Sequence, residues 1–114
     1  MAKIITTEDL RKKLASGVKD FYLVDVLSAN SYRAQHIPGA QNIVNGPDFL
    51  KRFEKEIAAP KDAEIIVYCA SATCSASVQA ADILEKANYT KVIHYKDGLA
   101  GWQNTGYHFE GEAT

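Results

Sequence analysis

The sequence predicts an α/β fold, with a mostly parallel central sheet of about five strands and helices on both faces. Apolar, β-forming runs alternate along the chain with segments whose apolar residues recur at helical spacing. The strand-like runs cover residues 3–6, 21–26, 41–44, 65–68 and 91–95. The runs at 21–26 and 65–68 are almost continuously apolar, which is typical of strands covered on both faces. At 114 residues, we expect a single domain over residues 1–114.

Helix start and stop signals fill the gaps between these strands. Thr7 or Thr6 can cap a first helix that buries Leu10 and Leu14 and ends at Gly17. Residues 28–35 can form one or two helical turns, and residues 45–48 open a helix that Pro60 stops. A long helix should end at Asn88. A short helical turn follows residues 97–98, and the chain from residue 107 onward is predicted to be irregular.

The overall composition excludes several classes of function. The formal net charge is −1, which does not favour binding to nucleic acid or to an anionic membrane surface. The N-terminal residues contain no apolar stretch typical of a signal peptide. The longest uncharged run, residues 65–81, is too rich in Ser, Thr and Ala to span a bilayer. Two cysteines five positions apart make a poor disulfide framework, so we expect free thiols and a cytoplasmic location.

The most informative stretch joins the strand at 65–68 to the following helix through a short loop of small residues. Cys69 stands at the end of the strand, and Ser75 is a candidate N-cap of the helix. A loop whose amides lead into a helix N-terminus favours an anion. A thiol with a pKa of about 8.5 is only about 3% thiolate at pH 7, and lowering that pKa by about two units makes the thiolate the majority species. Cys69 is therefore either a reactive nucleophile or a cysteine that only packs at a strand end.

Two further polar residues lie near strand ends. Asp25 interrupts the apolar run at 21–26, where a carboxylate must find a partner, so it either accepts N–H groups of a neighbouring loop or lines a site. His36 follows the same strand along the chain. Because ligands of such sheets bind beyond the carboxyl ends of the strands, Asp25, His36 and Cys69 are candidate neighbours.

Three motifs together resemble the rhodanese-like (sulfurtransferase) domain family over almost the whole chain. The Val-Asp-Val run at 24–26, Tyr32 and the run at 36–43 are similar to the amino-terminal signature of the family. Residues 65–69 resemble its active-site strand and nucleophile, and residues 97–102 resemble its carboxyl-terminal G-x-x-x-W turn. All three occur in the family's order in a chain of single-domain length.

The resemblance implies sulfur transfer without a metal or other cofactor. Cys69 would accept a sulfane sulfur, become a persulfide and pass the sulfur to a thiol or another nucleophile. Its expected donors are a persulfide or thiosulfate, and its expected acceptors are a small thiol or a thioredoxin-like protein. The backbone amides of the loop would stabilise the sulfur anion. These loop residues are Ala70, Ser71, Ala72, Thr73, Cys74 and Ser75. Asp25 and His36 are candidates for the shell around this site.

The composition of the loop narrows the chemistry. Phosphatases of related fold need an arginine six positions after the cysteine to grip phosphoryl oxygens, and Ser75 stands there. Residues 70–74 also carry no charge, so we expect weak affinity for the thiosulfate dianion. Ala72 replaces a glycine that is common in the family loop, which costs about 1–2 kcal/mol if that position needs a positive φ.

Cys74 leaves two alternatives open. It is a candidate resolving thiol, which would attack the Cys69 persulfide, release sulfide and leave a disulfide. If the loop amides converge on Cys69, however, the Cys74 side chain should point away and serve only as a small residue at the helix start. The chain is thus a sulfurtransferase, a dithiol–disulfide redox protein using Cys69 and Cys74, or a rhodanese-like binding module with a weakly reactive Cys69. A zinc site is disfavoured because Cys-x4-Cys lacks a second ligand pair at a familiar spacing.

Overall fold

The structure, a computed structural model, describes residues 3–16, 21–71 and 73–112. Its strands are β1 (Lys3–Ile4), β2 (Phe21–Asp25), β3 (Gln41–Asn42), β4 (Glu64–Tyr68) and β5 (Lys91–Tyr95). Its helices are α1 (Thr7–Ala15), α2 (Ala29–Ala34), α3 (Phe49–Glu56), α4 (Ala76–Lys86) and α5 (Gly98–Asn104). None of these described helices is long and apolar enough to cross a membrane.

The strands form one sheet in the order β1-β5-β4-β2-β3, and every pair is parallel. The predicted α/β fold with a five-stranded parallel sheet is confirmed. β4 lies at the centre, where Val67 pairs with Val24 of β2 on one side and with His94 of β5 on the other. The carboxyl ends of β2, β4 and β5 therefore meet at one edge of the sheet.

The sheet is covered on both faces because successive side chains of a strand point to opposite sides. Ile65, Val67 and Cys69 face the core that contains Phe53 of α3 and Leu84 of α4. Ile66 and Tyr68 face a second core, built with Leu10 of α1 and Trp102 of α5. The predicted arrangement of helices on both faces is thus observed, and it explains the almost continuous apolar run of β4.

Helix α1 begins where its capping residue predicts. Of the two candidates, Thr6 is the cap, and its hydroxyl oxygen accepts the N–H of Asp9 at 3.1 Å. Ser28 caps α2 in the same way, accepting the N–H of Ser31 at 3.2 Å. The predicted end of α1 at Gly17 lies outside the described residues.

Other element boundaries differ by a few residues from the sequence prediction. β3 is limited to two residues, whereas four were predicted at 41–44. Asp48 directly precedes α3 but makes no side-chain cap. Asn88, which was expected to end the long helix, lies just beyond α4 with a φ of 74°, a left-handed conformation that stops a helix.

The chain after α5 is irregular but bonded to the body of the domain. His36 and Glu110 form an isolated antiparallel bridge, with N–H···O distances of 2.8 and 2.9 Å. The indole N–H of Trp102 donates to the carbonyl of His108 at 2.9 Å. These contacts hold the segment against the face of the sheet that carries α1 and α5.

Candidate active site

Cys69 directly follows the central strand β4, at the edge where the strands end. Its residue is 1% exposed, and its side chain belongs to the core between the sheet and α3 and α4. Because β4 is paired on both sides, the position of Cys69 is fixed by two ladders of hydrogen bonds. The loop from Cys69 to the start of α4 spans residues 70–75.

The sulfurs of Cys69 and Cys74 form a disulfide, and their Cα atoms are 6.4 Å apart. Within the loop, the N–H of Cys74 donates to the carbonyl of Ser71 at 3.1 Å, which folds the chain back toward the strand end. The expectation of free thiols is therefore wrong in this structure, because the turn brings two sulfurs that are five positions apart in sequence into bonding range. The expectation that Cys74 points away from Cys69 is wrong for the same reason.

The loop amides were predicted to converge on the Cys69 sulfur. In the disulfide form, the hydrogen bond that this sulfur makes among the described residues is with the Ser77 hydroxyl and not with a loop amide, and Ala72 lies outside the described residues. The hydroxyls of Ser71 and Thr73 bond each other at 3.0 Å. Ser75 occupies the N-cap position of α4, although its hydroxyl forms no capping bond. A cradle formed by residues 70–75 stays a prediction for the reduced form.

Two side chains near the sulfur were not predicted from the sequence. Ser77 contacts the sulfur, and His94 contacts Ser77. The Ser77 hydroxyl lies 3.2 Å from the Cys69 sulfur and 2.7 Å from Nε2 of His94. Ser77 is 1% exposed and His94 is 9% exposed. Burial, with a smaller contribution from the positive charge of Lys96, lowers the pKa of His94. The available signal was strand alternation, since His94 is two residues after the buried Val92 on a strand next to β4.

The start of α5 is bonded to the backbone beside the nucleophile. The N–H of Leu99 donates to the carbonyl of Cys69 at 3.1 Å, and the N–H of Ala100 donates to the carbonyl of Ala70 at 2.9 Å. These two bonds pair the first turn of α5 with the first residues of the loop. The G-x-x-x-W turn therefore holds the strand end in place.

Asp25 accepts a backbone N–H of the neighbouring loop, as one of the two interpretations of this residue predicted. Its Oδ1 accepts the N–H of Leu27 at 2.8 Å, while Oδ2 has no hydrogen-bond partner among the described residues. Burial raises the pKa of Asp25, and the Leu27 bond, the nearby Tyr68 hydroxyl and His36 oppose that rise. Asp25 pairs in register with Tyr68, whose side chain lies on the face of the sheet opposite to Cys69.

His36 also lies apart from the sulfur. Its ring stacks on Tyr32 with centroids 3.8 Å apart, and its Nδ1 is 2.7 Å from the Tyr32 carbonyl. Its Nε2 is 3.8 Å from a carboxylate oxygen of Glu110. No contact of a described residue joins His36 to Cys69, so a role of His36 or Asp25 around the site stays a prediction. Within the described ranges, no group of three His, Cys, Asp or Glu residues gathers closely enough to hold a metal ion.

The protein is a parallel α/β domain. It carries a cysteine at the end of its central strand, directly before a short loop and a helix. The family model of the rhodanese-like domain matches residues 6–105, so the chain belongs to the rhodanese-like domain family. The resemblance noted in the sequence is thereby confirmed.

The chain is also similar to solved structures and to a curated protein. The rhodanese-like domain of an Anabaena protein is 28% identical with a TM-score of 0.84, covering 99% of this chain and 82% of that one. A thiosulfate sulfurtransferase from Pseudomonas aeruginosa shares the fold at 19% identity with a TM-score of 0.80, over 96% of this chain and 20% of that one. An HTH-type transcriptional regulator of Mycobacterium tuberculosis is 30% identical over 102 residues, which are 90% of this chain. The match spans 42% of the regulator's length.

Proposed function

We propose that the protein is a sulfurtransferase that carries a sulfane sulfur as a persulfide on Cys69. The observation that carries this proposal is the position of Cys69 at the end of the central strand of a rhodanese-like domain, next to a hydroxyl 3.2 Å from its sulfur. A thiolate at this position is a nucleophile. It stands at the end of β4, which is paired with β2 on one side and with β5 on the other. Its acceptor is a small thiol or a thioredoxin-like protein.

In the loading step, the Cys69 thiolate attacks the outer sulfur of a donor persulfide. Cys69–S⁻ and R–S–SH give Cys69–S–SH and R–S⁻, so one S–S bond forms as another breaks. In the transfer step, an acceptor thiolate attacks the outer sulfur of the Cys69 persulfide and Cys69 leaves as the thiolate. Cys69 is thus the nucleophile of the first step and the leaving group of the second.

The surface around the loop favours a donor of low charge. The depression beside the loop is lined by Thr7, Ser71, Thr73 and Asp97 together with small or polar neighbours, and none of its described lining residues is a lysine or an arginine. The carboxylate of Asp97 repels a dianion, and none of the described lining residues carries a positive charge that would compensate for it. A low-molecular-weight persulfide or a protein persulfide therefore fits this surface better than thiosulfate does.

Intact-protein mass measurement tests the proposal. The reduced protein is incubated with glutathione persulfide, and we expect the mass to rise by one sulfur atom. Cys69→Ser should carry no added sulfur, whereas Cys74→Ser should still be loaded. A protein that gains no sulfur from any donor, or a Cys69→Ser variant that gains as much as the parent, overturns the proposal.

The Cys69–Cys74 disulfide favours a second candidate, a dithiol–disulfide function. In this scheme the Cys74 thiolate attacks the inner sulfur of the Cys69 persulfide, a Cys69–Cys74 bond forms and HS⁻ leaves. An external thiol then reduces the disulfide. Cys74 is half-buried and Cys69 is almost fully buried, so the reductant reaches Cys74 first and Cys69 leaves as the thiolate.

Sulfide release separates the two candidates. After loading with glutathione persulfide and removal of excess donor, the second candidate predicts about one sulfide per loaded protein and a new intramolecular disulfide. Cys74→Ser should hold its persulfide until an external thiol is added. If the parent protein also holds its persulfide, and if oxidised glutathione forms no Cys69–Cys74 bond, the second candidate is wrong.

A further inference from the structure

A buried chain of polar side chains leads away from the Cys69 sulfur into the core. The sulfur contacts the Ser77 hydroxyl at 3.2 Å, and that hydroxyl contacts Nε2 of His94 at 2.7 Å. Ser77 comes from the first turn of α4, and His94 comes from β5, on the same face of the sheet as Cys69. Polar groups buried to this degree are kept in contact because separating them leaves each without a partner.

The loop itself offers Cys69 no positive charge. Residues 70–75 contain no lysine, arginine or histidine. The Ser77 hydroxyl is the polar side-chain group that the described residues place against the sulfur, the partner sulfur of Cys74 aside. A thiolate formed here in low-dielectric surroundings therefore has the Ser77 hydroxyl as its nearest donor.

When Cys69 is ionised, the number of available protons decides which group donates and which accepts in each of these two hydrogen bonds. A thiolate can only accept, so the single proton of the Ser77 hydroxyl must point to the sulfur. The Ser77 oxygen is then free to accept, and Nε2 of His94 must carry the proton that it accepts. Both bonds can be satisfied together only in this arrangement.

The described surroundings of His94 disfavour a positive charge on its ring. β4 places Val67 beside it, β1 places Ile4 on its other side, and its contact with α4 is the uncharged Ser77. With Cys69 in the disulfide, burial, and to a smaller extent the positive charge of Lys96, lowers the pKa of His94. A neutral imidazole with its proton on Nε2 donates to Ser77 without placing a charge in the core.

We propose that Ser77 and His94 form a neutral donor chain that stabilises the Cys69 sulfur whenever it is a thiolate. Ser77 touches the reacting atom and is a catalytic residue, while His94 acts through Ser77 and is a positioning residue. In the sulfurtransferase function proposed above, on which this inference builds, the chain serves Cys69 both as nucleophile and as leaving group. It replaces the cationic side chain that the loop lacks.

The test measures the rate of Cys69 alkylation by iodoacetamide against pH, in reduced Cys74→Ser protein so that one thiol reports. In Ser77→Ala and in His94→Leu, we expect the midpoint of the profile to rise by about one pH unit and the rate at pH 7 to fall about 5- to 10-fold. His94→Gln should recover most of the rate, because its amide N–H can occupy the place of Nε2–H. Ser77→Thr should also keep the midpoint, since it retains the hydroxyl.

Two matched variants control for general effects of substitution. Ser28→Ala removes the hydroxyl that caps α2, and His108→Gln changes a histidine that is not part of the chain of hydrogen bonds between Cys69, Ser77 and His94. Neither should move the midpoint, even where Ser28→Ala lowers the free energy of unfolding. Circular dichroism shows whether each variant is folded. If Ser77→Ala or His94→Leu does not fold, the near-isosteric variants His94→Gln and Ser77→Thr are measured instead.

The proposal is overturned if Ser77→Ala keeps the midpoint of the parent, or if His94→Gln is as slow as a folded His94→Leu. It is also overturned if Ser77→Thr or His94→Gln moves the midpoint when the apolar variants do not fold. Alkylation requires no sulfur donor, so this result is independent of whether the protein carries a persulfide. A failure of sulfur loading with an intact donor chain would overturn the sulfurtransferase proposal alone.

Discussion

Gly98 lies so close to Cys69 that a Cβ atom added at Gly98 would be 2.2 Å from the Cys69 carbonyl oxygen. Its φ of +59° is in the left-handed region that side chains with a Cβ rarely adopt. This close approach allows the N–H groups of Leu99 and Ala100 to bond the carbonyls of Cys69 and Ala70. The glycine of the G-x-x-x-W turn thus allows α5 to dock on the backbone of the nucleophile.

Gly98→Ala should therefore lower the free energy of unfolding by about 2–4 kcal/mol, since it adds a backbone clash to the strain of a positive φ. Urea unfolding measures this loss. Gly106→Ala is the matched control, because Gly106 has a φ of +79° but open space where its Cβ would stand. We expect it to lose only about 1–2 kcal/mol. Equal losses in the two variants would contradict the importance of the contact with Cys69.

Tyr68→Phe should lower stability although it removes a single oxygen atom. The Tyr68 hydroxyl accepts the buried N–H of Ile37 at 3.1 Å, and both residues are fully buried. Losing this acceptor leaves the N–H unsatisfied, at a cost of about 1–3 kcal/mol in the free energy of unfolding. Tyr22→Phe is the control, since the Tyr22 hydroxyl makes no hydrogen bond among the described residues and should lose little. A Tyr68→Phe protein as stable as Tyr22→Phe would refute the prediction.

Asp25→Asn should reduce the dependence of stability on pH. Because burial raises the pKa of Asp25 above its ordinary value of 3.8, the folded protein holds this proton more tightly than the unfolded chain. Asp25 therefore contributes stability that is present below that value and is lost as the pH rises through the raised pKa. Asparagine keeps an oxygen for the Leu27 N–H and does not titrate.

Urea midpoints at pH 5 and pH 7 measure the effect of Asp25. The parent protein should lose more stability than Asp25→Asn between these two pH values, and the difference isolates Asp25 from other titrating groups. Equal changes in the two proteins would show that Asp25 is not the source.

Thr73→Arg should increase the use of thiosulfate as a donor. Thr73 is exposed in the loop beside Cys69, and no lysine or arginine is among the described residues that line the depression there. A guanidinium there can bond the oxygens of the dianion, and we expect kcat/KM for thiosulfate to rise about tenfold, chiefly through a lower KM. Steady-state assays of Thr73→Arg and of the uncharged control Thr73→Gln check this. An equal gain in both variants would mean that charge is not what limits thiosulfate.

Sequence patterns were sufficient for the main elements of the fold. The alternation of strands and helices, the end of β4, the limits of β5 and the cap of α1 depend on neighbours within a few residues. Such local signals are present in the chain before it folds. Boundaries such as the end of β3 were less predictable, because a strand stops where its partner stops pairing, and the pairing of β3 with β2 is a long-range contact.

Local patterns in the sequence are enough to predict the parallel α/β fold, the family signatures and the position of Cys69 at the end of a strand. The groups that surround the Cys69 sulfur depend on long-range packing. Sheet order places β5 next to β4, which brings His94 to Ser77, and the turn of the loop brings Cys74 to Cys69. The same fold moves Asp25 to the opposite face of the sheet, beside Tyr68. Alternation along a strand tells which residues share a face, but these neighbours also require the order of the strands in the sheet, which no local pattern specifies.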